Sequence, residues 1–113
     1  MHELSLALEL RTLIEQQASQ DGFRRVHRVR LAVGMLSCVE PEAMRFCFDD
    51  AMQGGPAEGA ELDIERIPGL GRCTACSREV AMEQMHDPCP ACGLPLEPVR
   101  GREIRLLELE VSD

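Results

Sequence analysis

Apolar residues recur every three or four positions in two stretches of the chain, and this spacing predicts two amphipathic helices. The first helix runs from Leu4 to about residue 20, before Asp21 and Gly22. The second begins near Pro41, a residue suited to the first helical position, and Ser37 with Glu40 resembles a capping pair before it. Its apolar face consists of Met44, Cys47, Phe48 and Ala51.

Alternation of apolar and polar residues predicts three strands. The first contains Val29, Leu31 and Val33, the second spans about 62–67, and the third spans 104–111. The third strand is apolar enough to be central in a sheet. The order of these elements predicts an α/β (α+β) fold, with two helices on a small mixed β-sheet.

Residues 69–98 differ from the rest, with four Cys, four Pro and three Gly in thirty residues. Such a stretch has little core of its own, so we expect another interaction to hold it together. We therefore predict a discontinuous α/β domain of residues 1–68 and 99–113, with residues 69–98 inserted as a separate module.

The module contains two CxxC knuckles, Cys73 with Cys76 and Cys89 with Cys92, separated by twelve residues. Two such knuckles place four thiolates around one ion, which is the closed ligand set of a structural, zinc-ribbon-like Zn(II) site. The alternatives are a redox dithiol pair or an iron centre. Neither knuckle opens a helix after a strand, the setting of a redox CxxC, so we favour zinc.

The net charge of −8 argues against a nucleic-acid partner, as does the aromatic content of 3%. One basic cluster is either a phosphate patch or the solvated face of a strand, and we favour the latter: Arg24, Arg25, His27, Arg28 and Arg30. The sequence contains no apolar run of about 18 residues and no signal-peptide pattern at its start. We therefore expect a cytoplasmic protein without a membrane partner, whose cysteines are ligands or free thiols.

The amino terminus offers a second set of metal donors. The α-amine of Met1, the amide nitrogen of His2 and the His2 imidazole can chelate one ion in a plane, which suits Ni(II) or Cu(II), and Glu3 could add an oxygen. The alternative is a histidine in a frayed terminus.

Several motifs together resemble the HypA/HybF family: the opening MHELSLA, the stretch RVRLAVGMLS at 28–37, VEPEA at 39–43, RFCF at 45–48, the paired knuckles and GREI at 101–104. The resemblance implies a nickel metallochaperone of [NiFe] hydrogenase maturation, with an α/β nickel domain and a zinc domain. It also implies that His2 is the essential nickel ligand, helped by the Met1 amine, with Glu3 and Glu40 near the ion. Cys38 has no counterpart role.

From this resemblance we expect a protein that is not an enzyme and that binds Ni(II) at its amino terminus. It would deliver the ion to a maturation GTPase and to the hydrogenase large-subunit precursor, as a monomer or weak homodimer. The alternative function is a zinc-ribbon adaptor for protein interactions, without a second metal.

Overall fold

The computed structural model describes residues 2–113, and Met1 lies outside the described residues. Within residues 2–113, two helices and six strands follow in the order α1 His2–Asp21, β1 Arg25–Gly34, α2 Pro41–Ala51, β2 Glu61–Ile67, β3 Gly69–Cys73, β4 Glu79–Met82, β5 Leu96–Arg100 and β6 Ile104–Ser112. The strands form two three-stranded sheets, ordered β2-β1-β6 and β4-β3-β5. The predicted fold class, two helices with small sheets and a four-cysteine module, is confirmed.

The chain divides into two compact units. Unit 1 comprises the described residues up to Leu31, residues 39–64 and residues 106–113, and unit 2 comprises residues 32–38 and 65–105. The functional division into residues 1–68 with 99–113 and residues 69–98 stays a prediction, because it concerns which metal each part binds.

In unit 1 the two helices contact each other, and α2 buries the face that the spacing predicted, whereas α1 buries its face only in part, because Leu13 is 51% exposed. Ala7, Leu10 and Ile14 are buried on α1, and all four predicted residues are buried on α2. Arg11 links the helices, because its Nη1 donates hydrogen bonds to the carbonyls of Ala51 at 2.8 Å and Gln53 at 2.7 Å. These carbonyls lie where α2 ends and have no partner within the helix.

The start of α2 differs from the prediction in its cap. Pro41 does occupy the first turn, but the Glu40 side chain is the cap and accepts a hydrogen bond from the Ala43 amide at 2.8 Å. Ser37 instead donates to the Gly34 carbonyl at 2.6 Å. The predicted Ser37 and Glu40 capping pair is therefore wrong, because Glu40 fills the N-cap position itself.

The first sheet places β1 at its centre, so the prediction that the last strand is central was wrong. β6 is an edge strand and none of its residues is buried. The apolar content of β6 had suggested burial on both faces. At the edge of the sheet, however, the leucines of β6 stay half-exposed.

The basic side chains of β1 pair with carboxylates on both neighbouring strands. Arg28 contacts Asp63 on β2 at 2.9 Å and Glu110 on β6 at 3.7 Å. Arg30 contacts Asp63 at 3.7 Å and Glu108 at 3.9 Å. The guanidinium charges of Arg28 and Arg30 are thus compensated within unit 1, which supports the solvated strand face over a phosphate patch.

Unit 2 contains a sheet that the sequence reading missed. β3 pairs antiparallel with β4 and with β5, and the small core beneath consists of Leu36, Cys73, Met82, Cys89 and Leu96. A side chain at Gly71 would collide with Met82 and Leu96, so glycine lets the strands and this core close together. The core is small, as expected for a module with little core of its own, and two of its five members are cysteines.

Among residues 2–113, neither helix is long and apolar enough to cross a membrane.

Candidate metal centres

The four cysteines of the two knuckles converge in unit 2. Their sulfur atoms all lie within 4.8 Å of one another, and the Sγ atoms of Cys76 and Cys89 are 3.9 Å apart. A tetrahedral zinc ion with Zn–S bonds of about 2.3 Å has sulfur atoms about 3.8 Å apart. The spacing of the thiols therefore fits the ion that the sequence predicted.

The two knuckles have the same backbone hydrogen bonds. In the first, the Cys73 amide donates to the Arg78 carbonyl at 2.9 Å and the Ser77 amide donates to the Cys73 carbonyl at 2.9 Å. In the second, the Cys89 amide donates to the Leu94 carbonyl at 2.8 Å and the Gly93 amide donates to the Cys89 carbonyl at 2.7 Å. Each tight turn thus folds back on its first cysteine and brings both thiols of the knuckle to one side.

The residue after each knuckle takes a left-handed backbone conformation. Gly93 has a φ of 72° and Ser77 a φ of 57°. Glycine adopts this conformation readily, whereas a residue with a Cβ atom is strained in it. The turn geometry is therefore required at both positions, and the first knuckle forms it without glycine.

The thiols of the cluster differ in burial and in acidity. Cys73 and Cys89 are buried and Cys76 and Cys92 are exposed. Amide donors from Cys76 and Ala75 lower the pKa of Cys73 to about 6, because they stabilise its thiolate. Hydrogen bonds with Cys76 and Cys73 raise the pKa of Cys92 to about 12. Without a cation the Cys92 thiol thus keeps its proton at neutral pH, and a bound dication would displace it.

The predicted nickel-site residues lie in unit 1, where two helices begin. His2 is the first residue of α1 and is exposed. Glu3 follows it, and its Oε2 accepts a hydrogen bond from the Glu40 amide at 3.1 Å. That bond joins the start of α1 to the N-cap of α2, and it lowers the pKa of the Glu3 carboxyl. Met1 lies outside the described residues.

The described side chains at this terminus do not form a ready-made metal cluster. Among residues 2–113, only the four cysteines form a group of three or more His, Cys, Asp or Glu side chains whose ligand atoms are close enough to share an ion. Glu3 and Glu40 each accept a backbone N–H, so both carboxylates also stabilise the helix starts. A nickel site here would need main-chain nitrogens in addition to the His2 imidazole.

Comparison with known proteins gives a consistent result over the whole length. The family model for hydrogenase/urease nickel incorporation metallochaperones, HypA, matches residues 1–111. The chain belongs to the HypA family. Hydrogenase maturation factors HypA from Methylocella silvestris and an Azoarcus species are 45% and 44% identical to it, over 99% and 100% of this chain and 100% of each relative.

Solved HypA structures share the fold. The solution structure of the Ni metallochaperone HypA from Helicobacter pylori has a TM-score of 0.71 at 24% identity, covering 97% of both chains. A second HypA solution structure has the same TM-score at 26% identity, covering 98% of this chain and 96% of that chain. The HypA resemblance stated from the sequence motifs is confirmed.

Sequence reasoning found the cysteines but missed the residues that shape their turns. Arg78 and Leu94 each lie five positions after the first cysteine of a knuckle and supply the carbonyls that close it. The equal spacing was visible in the sequence, but these residues act through backbone atoms and their side chains give no signal. The glycine after Cys92 was the one available clue to the left-handed turn.

Proposed function

We propose that this HypA-family chain is a nickel metallochaperone that binds Ni(II) at its amino terminus and delivers it during [NiFe] hydrogenase maturation. The observation that carries the proposal is the family match over residues 1–111, which includes a histidine at position 2 where α1 begins. The relatives named hydrogenase maturation factor support the pathway.

In this proposal, the donors are the Met1 amine, the His2 amide nitrogen and the His2 imidazole. The first amides of a helix have no acceptor within the helix, so the His2 nitrogen is available as a ligand without loss of a helical hydrogen bond. A cation is disfavoured at a helix N-terminus, where the backbone dipole is positive. The negative charges of Glu3 and Glu40 would offset that cost, whether or not either carboxylate binds the ion directly.

We assign the second metal, Zn(II), to Cys73, Cys76, Cys89 and Cys92. All four positions of a tetrahedral site are filled by sulfur, so no position is left for a reacting ligand, and the role is structural. The ion would supply folding energy to unit 2, whose core of five residues is small. This division assigns transport to a shallow terminal site and stability to a closed site, and it gives the chain no enzymatic role.

The partners follow from the same role. A carrier of Ni(II) requires a protein that accepts the ion, and we propose the maturation GTPase of the nickel-insertion pathway and the hydrogenase large-subunit precursor. Both steps would take place in the cytoplasm. The chain would act as a monomer or weak homodimer.

The test is isothermal titration of Ni(II) into zinc-loaded protein with its native amino terminus. We expect one nickel site in the wild type and its loss in His2→Ala, with the zinc content unchanged. His86→Ala is the matched control, since it also removes a histidine and should bind nickel like the wild type. If His2→Ala retains the stoichiometry and affinity of the wild type, the chain is better described as a zinc-ribbon interaction adaptor.

A further inference from the structure

α2 carries a phenylalanine that does not pack in the core. Phe46 is 76% exposed, whereas the other two aromatic residues of the chain, Phe23 and Phe48, are buried. Its neighbours in sequence, Arg45 and Cys47, point to the protein: Arg45 donates to the Leu62 carbonyl and Cys47 is in the core. Removing Phe46 would therefore cost little folding free energy.

The surroundings of Phe46 on the helix are acidic. Glu42 lies four residues before it, and Asp49 and Asp50 lie three and four residues after it, so all three share its side of α2. All three are exposed, and within residues 2–113 no ion pair compensates their charge. Asp63 on β2 and Glu108 and Glu110 on β6 differ, because they pair with Arg28 and Arg30.

α1 adds two exposed leucines beside α2. Leu4 is 37% and Leu8 is 51% exposed. Both share a helical stripe with Arg11, whose guanidinium reaches the end of α2, so this stripe flanks the second helix. Leu4, Leu8 and Phe46 are called the helical patch below.

We infer that the helical patch docks a protein partner that presents an apolar pocket rimmed by lysine and arginine. Large exposed aromatic residues are typical anchors of interfaces, and unpaired acidic residues around one favour a basic rim. A second copy of the chain is disfavoured, because its own net charge is −8 and its patch carries the same carboxylates. The same charge disfavours nucleic acid and anionic membranes.

The helical patch lies near the proposed nickel ligands, so docking there would serve nickel transfer, an argument that rests on the proposed function. Glu40, which accompanies the proposed nickel ligands, is the N-cap of the helix that carries Phe46. Six residues of helix span about 9 Å along the axis. A partner held on Phe46 would thus lie near the metal without covering it, as transfer of an ion requires.

The experiment measures binding of zinc-loaded chain to two purified probes, the maturation GTPase and the hydrogenase large-subunit precursor, by biolayer interferometry. We expect Phe46→Ala to weaken binding to at least one probe tenfold or more. Val99→Ala is the matched control, since Val99 on β5 is 49% exposed in unit 2 and belongs to neither metal site, and its affinity should equal that of the wild type. Circular dichroism and zinc content should be unchanged in both variants.

A second variant tests the basic rim. Glu42→Gln, Asp49→Asn and Asp50→Asn together should weaken the same complex and reduce the dependence of its association rate on salt. The triple variant keeps Phe46, so its effect separates the charge from the apolar contact.

Wild-type affinity of Phe46→Ala for both probes would overturn the inference, as would a wild-type chain that binds neither probe. Light scattering that shows a wild-type dimer and a Phe46→Ala monomer would overturn it in favour of self-association. Nickel titration keeps the outcomes separate from the proposed function: Phe46→Ala should bind Ni(II) normally, and His2→Ala should dock normally.

Discussion

Ser77 holds a left-handed conformation that Gly93 holds in the equivalent turn of the other knuckle. The turns share their hydrogen bonds, so the two positions form an internal comparison within one chain. We predict that Ser77→Gly raises the free energy of unfolding by about 0.5–1 kcal/mol, because the strain of a Cβ atom at positive φ exceeds the added entropy of glycine in the unfolded chain. Chemical denaturation of the zinc-loaded protein measures this.

Gly93→Ala is the reciprocal control. No atom lies within 4 Å of the added Cβ, so its effect isolates the backbone conformation, and stability should fall by about 1 kcal/mol. A loss of stability in Ser77→Gly would instead show that the Ser77 side chain contributes more than its backbone strain costs.

Glu103 provides a second test at the level of one residue. Its Oε1 accepts a hydrogen bond from the Gly101 amide at 2.6 Å, and hydrogen bonds from its own amide and that of Gly101 lower the pKa of its carboxyl. Because the pKa of Glu103 is lowered in the folded state, its ionised carboxylate stabilises the fold above the usual value of 4.5. This stabilisation is lost as the pH falls through the pKa of the folded state.

Glu103→Gln should therefore melt at a lower temperature than the wild type at pH 7, and the difference should shrink as the pH falls below 4.5. Thermal melting of both proteins between pH 7 and pH 3 measures it. A difference that stays constant across this range would mean that the charge of Glu103 does not contribute.

At the scale of elements, the pair of helices in unit 1 depends on Arg11. It satisfies two carbonyls where α2 ends, with the charge of the guanidinium favourable at that end of the helix dipole. Arg11→Met keeps most of the stem and removes the donors, and we predict a loss of roughly 1.5–3 kcal/mol of stability. Arg24→Met, a substitution of the same type away from α2, should change thermal stability little. Equal melting temperatures for the two variants would contradict the capping role.

The sequence predicted the elements whose side chains follow a regular period. Both helices and β1, β2 and β6 were found from apolar spacing, because apolar residues recur along one side of each of these elements. β3, β4 and β5 were missed, since they are short, β3 contains two glycines and β5 a proline, and their pairing depends on the core around Met82 and Leu96. The place of β6 at a sheet edge was also missed, since the spacing within one strand says little about its neighbours.

The candidate sites were predictable to different extents for a related reason. Four cysteines in two short motifs specify a site almost by themselves, because each motif is a tight turn. The relation of Glu3 to Glu40 was not predictable from spacing, since thirty-seven residues separate them and the contact depends on where both helices begin.

At the scale of the whole molecule, the units should respond differently to loss of zinc. Two of the five core residues of unit 2 are cysteines, whereas the core of unit 1 is formed by its helices and sheet. We predict that a strong chelator abolishes amide protection in β3, β4 and β5 and leaves most protection in α1 and α2. Hydrogen exchange with mass spectrometry measures both in one sample.

Cys73→Ala should reproduce the effect of the chelator without any added reagent. Cys47→Ala is the control, because it removes a buried cysteine from unit 1 and should leave zinc content unchanged. Persistent protection of all three strands in zinc-free protein would show that unit 2 folds without its metal.

The alternation of buried and exposed cysteines also sets a direction for metal exchange. In each knuckle the first cysteine is buried in the core and the second, Cys76 or Cys92, is an exposed residue. A competing ligand or an alkylating reagent can approach only from the solvent side, so substitution would begin at the outer sulfurs while Cys73 and Cys89 still hold the ion. All four ligand positions are filled by sulfur, and we expect the two outer thiolates to govern how long a bound zinc ion would stay in the site.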